Sequence, residues 1–463
     1  MPSLSSLGRF AIKGLLWSGG VFLGLLLLWL TANRLLDQAP DPAREAFAAS
    51  VGAQVPDERN IAVGILGLTA PANSDFMEYG KSVKASIDSG LPWSKVREMQ
   101  TGPKALQLTV DHDQLSCWLE PDLPLFKSCR PFSEAPGVIE QNGELLRRFR
   151  ALYALDRLAA PRYYYGTAYL DAAKLSVADM QLDLRRHAFA QAYAKWRDQL
   201  AFTRRTLQGE DGWVGKYVGF VATGILLPFL DDLVIADPET AKQHQAELVA
   251  LLRPGGAGDI NPEGISRAEY AGLAYFLDHP ETARWSDRPV IDWMIHRLSQ
   301  KNRVLNRYTA FLKEYGKAIM QPWGRVDEEA TRLRTKYAYN VDGWDLTIDP
   351  IGTVFLSLHI YGELKTFAGL RYAYVVESKL RLASLMVQIA ANDVRDADIP
   401  AYLKSADRSL WDVFSNSPMR WDAKNRRIYF IDPLDKCMIN YVRVPPPKGS
   451  GLPPPPFSPP WIC

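Results

Sequence analysis

Cysteine is scarce in this chain. Four residues in 463 are Cys117, Cys129, Cys437 and Cys463, and no two form a CxxC pair. No His stands at zinc-ligand spacing from any of them, which argues against a structural metal site. The six His are scattered and form no HExxH face. Asp111-His112-Asp113 is the one acid–His cluster, but three adjacent residues in an extended segment cannot all aim at one ion, so it reads as a solvated loop. No GxSxG elbow occurs. Gly215-Lys216 is not a phosphate loop, because the first Gly of that motif would fall on Glu210 and Tyr217 replaces its Ser or Thr. An excess of one charge is missing too. Lys plus Arg is 54 against 52 for Asp plus Glu, a net charge of +2. That balance excludes a dedicated nucleic-acid binder. A mean hydropathy of -0.16 excludes a polytopic membrane protein. No cofactor or metal is expected, and no catalytic residue declares itself.

One long apolar run is present. Gly14 to Ala32 is nineteen residues without a charge. At 1.5 Å per residue such a helix spans about 28 Å, close to a bilayer's hydrocarbon core. Trp17 and Trp29 lie towards its ends, where interfacial indoles are favoured. A cleaved signal peptide is the rival reading, but the apolar core is too long for one and is not followed by a suitable small-x-small site. The sequence therefore predicts residues 1–13 as a cytoplasmic leader, 14–32 as a single transmembrane helix, and the bulk of the chain outside the cytoplasm. Gly20 and Gly24 form a small-xxx-small pair that would let two such helices meet as a homodimer. Trp213 to Leu230 is a weaker candidate span. Its uncharged run is fourteen residues from Tyr217 and holds Pro228, as a buried core helix would.

Cys117 and Cys129 are separated by a segment containing Pro121 and Pro124, which must turn. A bridge between them would contribute roughly 3 kcal/mol through the unfolded state and suits an oxidising compartment. Two buried thiols are the alternative. Cys437 and Cys463 are candidates for a second bridge.

The rest reads as mainly α. Residues 33–60 read as a linker and 61–142 as a loop-rich lobe, with Ile61–Ala70 either strand or helix and a short strand expected near Leu106 to Val110. Residues 143–444 read as a helical domain ending in a β-hairpin. Leu145, Phe149, Leu152 and Leu155 recur at helical spacing. Ser176 is expected to cap the next helix. Asp237-Pro238 and Asn261-Pro262 open others, and one long helix is expected from Asp287 to Met320. An aromatic loop at 336–352 precedes a helix of up to about forty residues, which Asp398 to Pro400 should end. Met419 to Ile431 reads as the hairpin. The pattern is that of a helical-hairpin bundle or a tetratricopeptide-like solenoid with small β-hairpin additions.

Three Arg pairs, Arg147-Arg148, Arg185-Arg186 and Arg204-Arg205, read as solvated helix faces, with a basic face towards anionic phospholipid or another protein as the alternative. Asp231-Asp232 reads as a helix-terminus signal. The tail from Pro445 to Pro460 has nine Pro in sixteen residues and is expected to be extended, either as a spacer or as a ligand for a partner's aromatic groove. Phe457 and Trp461 would be its contact residues.

Several stretches together resemble a family of single-pass inner-membrane proteins of Proteobacteria. They include the apolar run, Asn60–Pro71, the Cys117/Cys129 loop with Gly143–Leu152, Gly212–Phe220, Asn302–Tyr308 and the closing helix with its hairpin. The resemblance implies a periplasmic helical domain and no assigned activity, and it does not extend to the proline tail. The function expected from all this is a membrane-anchored binding or assembly scaffold of the cell envelope, with the inner membrane and an envelope protein as partners. An envelope hydrolase with a non-contiguous site, or a subunit of a transport or secretion complex, are the alternatives.

Overall fold

The computed structural model describes residues 17–25, 28–29, 35–50, 55–89, 91, 93–110, 112–119, 131–160, 167–255, 260–279, 289–339, 343–432 and 439–455. Within these the chain is mainly helical with a small antiparallel sheet. The helices that carry the architecture begin with α1 (Pro42–Ser50), α2 (Ile61–Gly67), α3 (Phe76–Asp88) and α4 (His112–Leu119). The Ile61 segment is thus helix rather than strand. Asn60 accepts from the Ala62 amide and caps α2, whose seven residues are all buried. Helix α3 crosses it closely. A Cβ on Gly67 would sit 1.9 Å from the Phe76 carbonyl oxygen, and one on Gly80 would sit 2.0 Å from that of Val63. Only glycine allows that approach. The strand expected near Leu106 to Val110 is absent. Leu106 and Leu108 pack into the core from an irregular segment with no neighbouring strand to pair with.

The centre is built from α5 (Gly143–Ala151), α6 (Thr167–Arg185), α7 (Phe189–Leu207) and α8 (Trp213–Ala236). Ser176 does not cap α6. It lies inside the helix, buried, because Tyr169, Ala172 and Ala173 in the turns before it also bury and extend the helix upstream. Burial outweighs the local start signal. Helix α8 is long and apolar enough to cross a membrane, yet most of it is buried within the protein. Trp196 of α7 donates to the Leu226 carbonyl of α8 at 3.0 Å. Two two-residue strands, β1 (Ala159–Ala160) and β2 (Glu210–Asp211), pair in parallel and tie α6 and α7 at their ends.

Helices α9 (Pro262–Asp278), α10 (Lys301–Ile319), α11 (Trp323–Leu333) and α12 (Pro350–Ala391) complete the body. Asn261 adopts φ 47° and caps α9 through its side chain. The single helix expected from Asp287 to Met320 is broken into Pro289–Leu298 and α10. At the break the Asp349 carboxylate accepts from the Gln300 amide at 3.1 Å and from the Gly352 amide at 2.9 Å, so one side chain caps α12 and holds the start of α10. The stretch expected as an aromatic loop is π-helical over Arg334–Tyr339 and α-helical over Gly343–Ile348. At 42 residues, α12 is about 63 Å long. Its first half packs Phe355, Leu356, Ile360 and Leu364 into a core with α9 to α11, and its second half packs Val376 to Ile389 into another with α7, α8 and the sheet. Asp398 to Pro400 opens the short helix Ile399–Ser405 instead of ending α12, since Pro is favoured at the first helical turn.

The hairpin forms from β3 (Arg420–Asp422) and β4 (Arg427–Ile431), and β5 (Ile439–Arg443), not foreseen, adds a third strand to β4 with Ile428 opposite Val442. Asp422 accepts from the Lys424 and Asn425 amides to form the turn, and Arg426 takes φ 50°.

Residues 37–47, read as linker, are docked on α10. The Asp37 carboxylate accepts from the Asn302 and Arg303 amides, both at 3.1 Å. Asn306 donates to the Ala39 carbonyl at 2.9 Å, and Arg44 bonds the Tyr270 hydroxyl at 2.7 Å and Asn302 at 2.5 Å. The tail is also attached at its start. Arg426 donates to the Pro445 carbonyl at 2.6 Å, and the Lys448 amide donates to Asp393 at 2.9 Å.

Candidate functional site

A cleft of about 640 Å³ opens where α8, the start of α11 and the second half of α12 meet the loop 412–416. That volume is in the range of small-molecule or peptide side-chain sites. Its walls are apolar and aromatic. Trp323, the first residue of α11, stands edge-on to Tyr374 at 5.4 Å and to Phe414 at 4.9 Å between ring centroids. Leu207, Phe220 and Leu380 line it further.

Polar groups enter at few points. Arg381 and Glu377, one turn apart on α12, are ion-paired. Arg381 also donates to the Trp411 carbonyl at 2.7 Å, while its buried Nε has no hydrogen-bond partner among the described residues. An unspent donor of this kind is a directional recognition point for an acceptor. The Tyr374 hydroxyl donates to the Gln321 carbonyl at 2.6 Å. Burial pushes its phenol up to about 12, so it stays a donor across the physiological range. The rim loop is rigid for a local reason. Asp412 accepts from the Phe414 amide at 3.1 Å, the Ser415 amide at 3.3 Å and the Ser415 hydroxyl at 2.5 Å. This Asx turn fixes Phe414 against Trp323.

The residues singled out by sequence lie elsewhere. Cys117 is buried on α4, and no cysteine among the described residues is a free thiol. Cys129, Cys437, Cys463, Phe457 and Trp461 lie outside the described residues. Gly20 and Gly24 lie on the Trp17–Leu25 helix, and nothing comes within 4 Å of an added Cβ at either. His112 and Asp113 open α4, while Asp111 lies outside the described residues.

Arg185 and Arg186 are exposed, as a solvated face would be, but the other charged pairs need correction. Arg148 is wholly buried and not solvated. It pairs with Glu144 at 2.7 Å and donates to the carbonyls of Ala70 at 2.5 Å and Pro71 at 2.9 Å. Its neighbour Arg147 is exposed and pairs with the same Glu144, whose carboxyl these guanidiniums hold down at about 2. Arg204 and Arg205 donate to backbone carbonyls of Arg253 and Tyr153, again in structural roles. Asp231 and Asp232 do not end α8, which runs on to Ala236; they grip Arg443 of β5 and fasten the sheet to the helix.

The cleft residues were not found from sequence because they come from separated segments spread between Arg204 and Asn416, none with a motif. The usable signal was compositional: Trp323, Tyr374 and Phe414 each flank a turn or face the apolar side of a helix. No family, no curated protein and no solved structure matches the chain.

Proposed function

We propose that the protein is a single-pass, membrane-anchored binding or assembly scaffold of the bacterial envelope. The helical domain is a bundle organised round α12, lies on the periplasmic side of the inner membrane, and takes an apolar segment of an envelope protein into the Trp323 cleft. The observation that carries the reading is the Trp17–Leu25 helix. All nine of its residues are exposed, among them Trp17, Val21, Phe22, Leu23 and Leu25. A helix apolar on every side is stable in lipid and not in water. Residues 28 and 29 are helical too, and Trp29 donates to the Thr347 carbonyl at 3.4 Å, which sets the end of the apolar run against the domain. The cleft supports the binding half of the reading through its aromatic walls and the spare Arg381 donor. The periplasmic side rests on the cysteine usage, the short basic leader and the family resemblance. Two copies would meet through the Gly20 and Gly24 face.

The test is topology and extraction. A reporter active only in the periplasm, fused after Cys463, should work, and the protein should stay in the membrane pellet through an alkaline carbonate wash. Activity of a strictly cytoplasmic reporter at the same place, or release by carbonate, would overturn the reading.

A further inference from the structure

The domain turns an unusual surface toward the point where the apolar helix meets it. Val354 and Leu358, one turn apart on α12, are 50% and 53% exposed. On the helix Pro289–Leu298, Val290 and Trp293 are 67% and 57% exposed. Leu346, on Gly343–Ile348, is exposed beside Thr347, the residue that receives Trp29. Both short helices pack against α12. Their acidic groups are turned inward, while Arg297, one turn after Trp293, is exposed. Asp345 pairs inward with Arg303 at 2.8 Å and Arg307 at 2.7 Å, Asp349 is fully buried between Gln300 and Gly352, and Asp292 is buried on the same helix as Trp293. Carboxylates satisfied inside and large apolar side chains outside invert the usual order of a water-facing surface.

We propose that this shoulder, formed by the first turns of α12 with the helices Pro289–Leu298 and Gly343–Ile348, is seated in the headgroup–acyl boundary of the bilayer. The inference rests on the reading of residues 14–32 as a membrane span. Two observations select lipid as the occupant. The bond from Trp29 to Thr347 puts the interfacial end of the span at the shoulder itself. The chain then leaves no slack, because Asp37 is fixed to the start of α10, and eight residues reach at most about 28 Å. The domain is therefore held at the bilayer with this face nearest to it. An exposed indole among aliphatic residues, with the exposed Arg297 one turn along the same helix, is the composition of an interfacial face.

The experiment uses the full chain in phospholipid vesicles that contain a phospholipid with a photoreactive diazirine on its acyl chain. Sites of labelling are mapped by mass spectrometry. The expected result is labelling of the peptides bearing Trp293 and Val354–Leu358 roughly tenfold above that of the peptide bearing α3, together with strong labelling of the Trp17–Leu25 stretch. Leu358→Asp should abolish labelling at the shoulder and leave that of the span intact. Labelled span with an unlabelled shoulder overturns this inference and leaves the anchor standing. An unlabelled span overturns the anchor reading itself. A bifunctional crosslinker that joins the shoulder to a second copy of the chain in the same vesicles, with no lipid adduct at the shoulder, would make it a dimer interface and overturn the proposal as well.

Discussion

Nε of Arg443 lies 2.8 Å from a carboxylate oxygen of Asp231, 212 residues earlier in the chain, and both side chains are almost inaccessible to solvent. The Arg443 amide bonds the other oxygen of Asp231 at 3.0 Å, and its guanidinium also reaches Asp232. The edge of the sheet is thereby held to the last third of α8. Removing one partner leaves the other buried and uncompensated. Arg443→Met should lower unfolding stability by about 3–5 kcal/mol in urea titrations. A loss below 1 kcal/mol would mean water reaches the site.

The same pair gives a pH dependence. Burial pushes the Asp231 carboxyl from 3.8 up to about 7, against the pull of Arg443. The folded state then keeps a proton that the unfolded state releases, so this group's contribution to stability declines as pH rises from about 4 to about 7 and is level above that. Asp231→Asn removes the effect. The melting temperature of the native protein minus that of the variant should fall across this window. A difference that is flat, or that rises with pH, would show that Asp231 is ionised throughout.

Gly80→Ala forces a methyl group against the Val63 carbonyl and must push α2 and α3 apart. The expected cost is about 1–3 kcal/mol. Gly272→Ala, where nothing lies within 4 Å, should instead be neutral or stabilise by up to about 1 kcal/mol, as a helical Gly replaced by Ala does. Equal effects at the two sites would deny the close crossing.

Non-reducing peptide mapping of the protein from an oxidising compartment should recover Cys117 linked to Cys129. Alkylation of Cys117 without prior reduction would remove the bridge from the account.

Deleting residues 445–463 should lower stability by roughly 1–3 kcal/mol, because buried Arg426 loses the Pro445 carbonyl it bonds. Calorimetry of the truncated chain checks this. An unchanged melting temperature would return the whole tail to the role of a free spacer.

Helix content was largely legible because apolar residues recur at helical spacing through Gly143–Ala151, Phe189–Leu207 and Pro350–Ala391. What failed was local punctuation. Ser176 and Pro400 carry cap chemistry, but burial around Ser176 and the chain direction at Pro400 decided what each did. Arg148 failed for a related reason. A charged residue on a helix reads as surface unless the carbonyls it will meet are known, and those of Ala70 and Pro71 lie some eighty residues upstream. The Trp323 cleft escaped the same way, since its aromatic walls meet only after α8, α11 and α12 are packed. The docked segment at Asp37 was hidden because its partners are backbone amides, which every sequence has.

Helix α12 is one unbroken rod shared by two cores. Val354 and Leu358 are on its first turns, and Glu377 and Arg381 are on its second half, about 35 Å further along. A rod pinned by its own hydrogen bonds cannot shorten between those points, so a tilt imposed at one end must reappear as sideways travel at the other. A tilt at Val354 and Leu358 would therefore reach the Trp323 cleft as lateral displacement of Glu377 and Arg381 and not as a change in helix length.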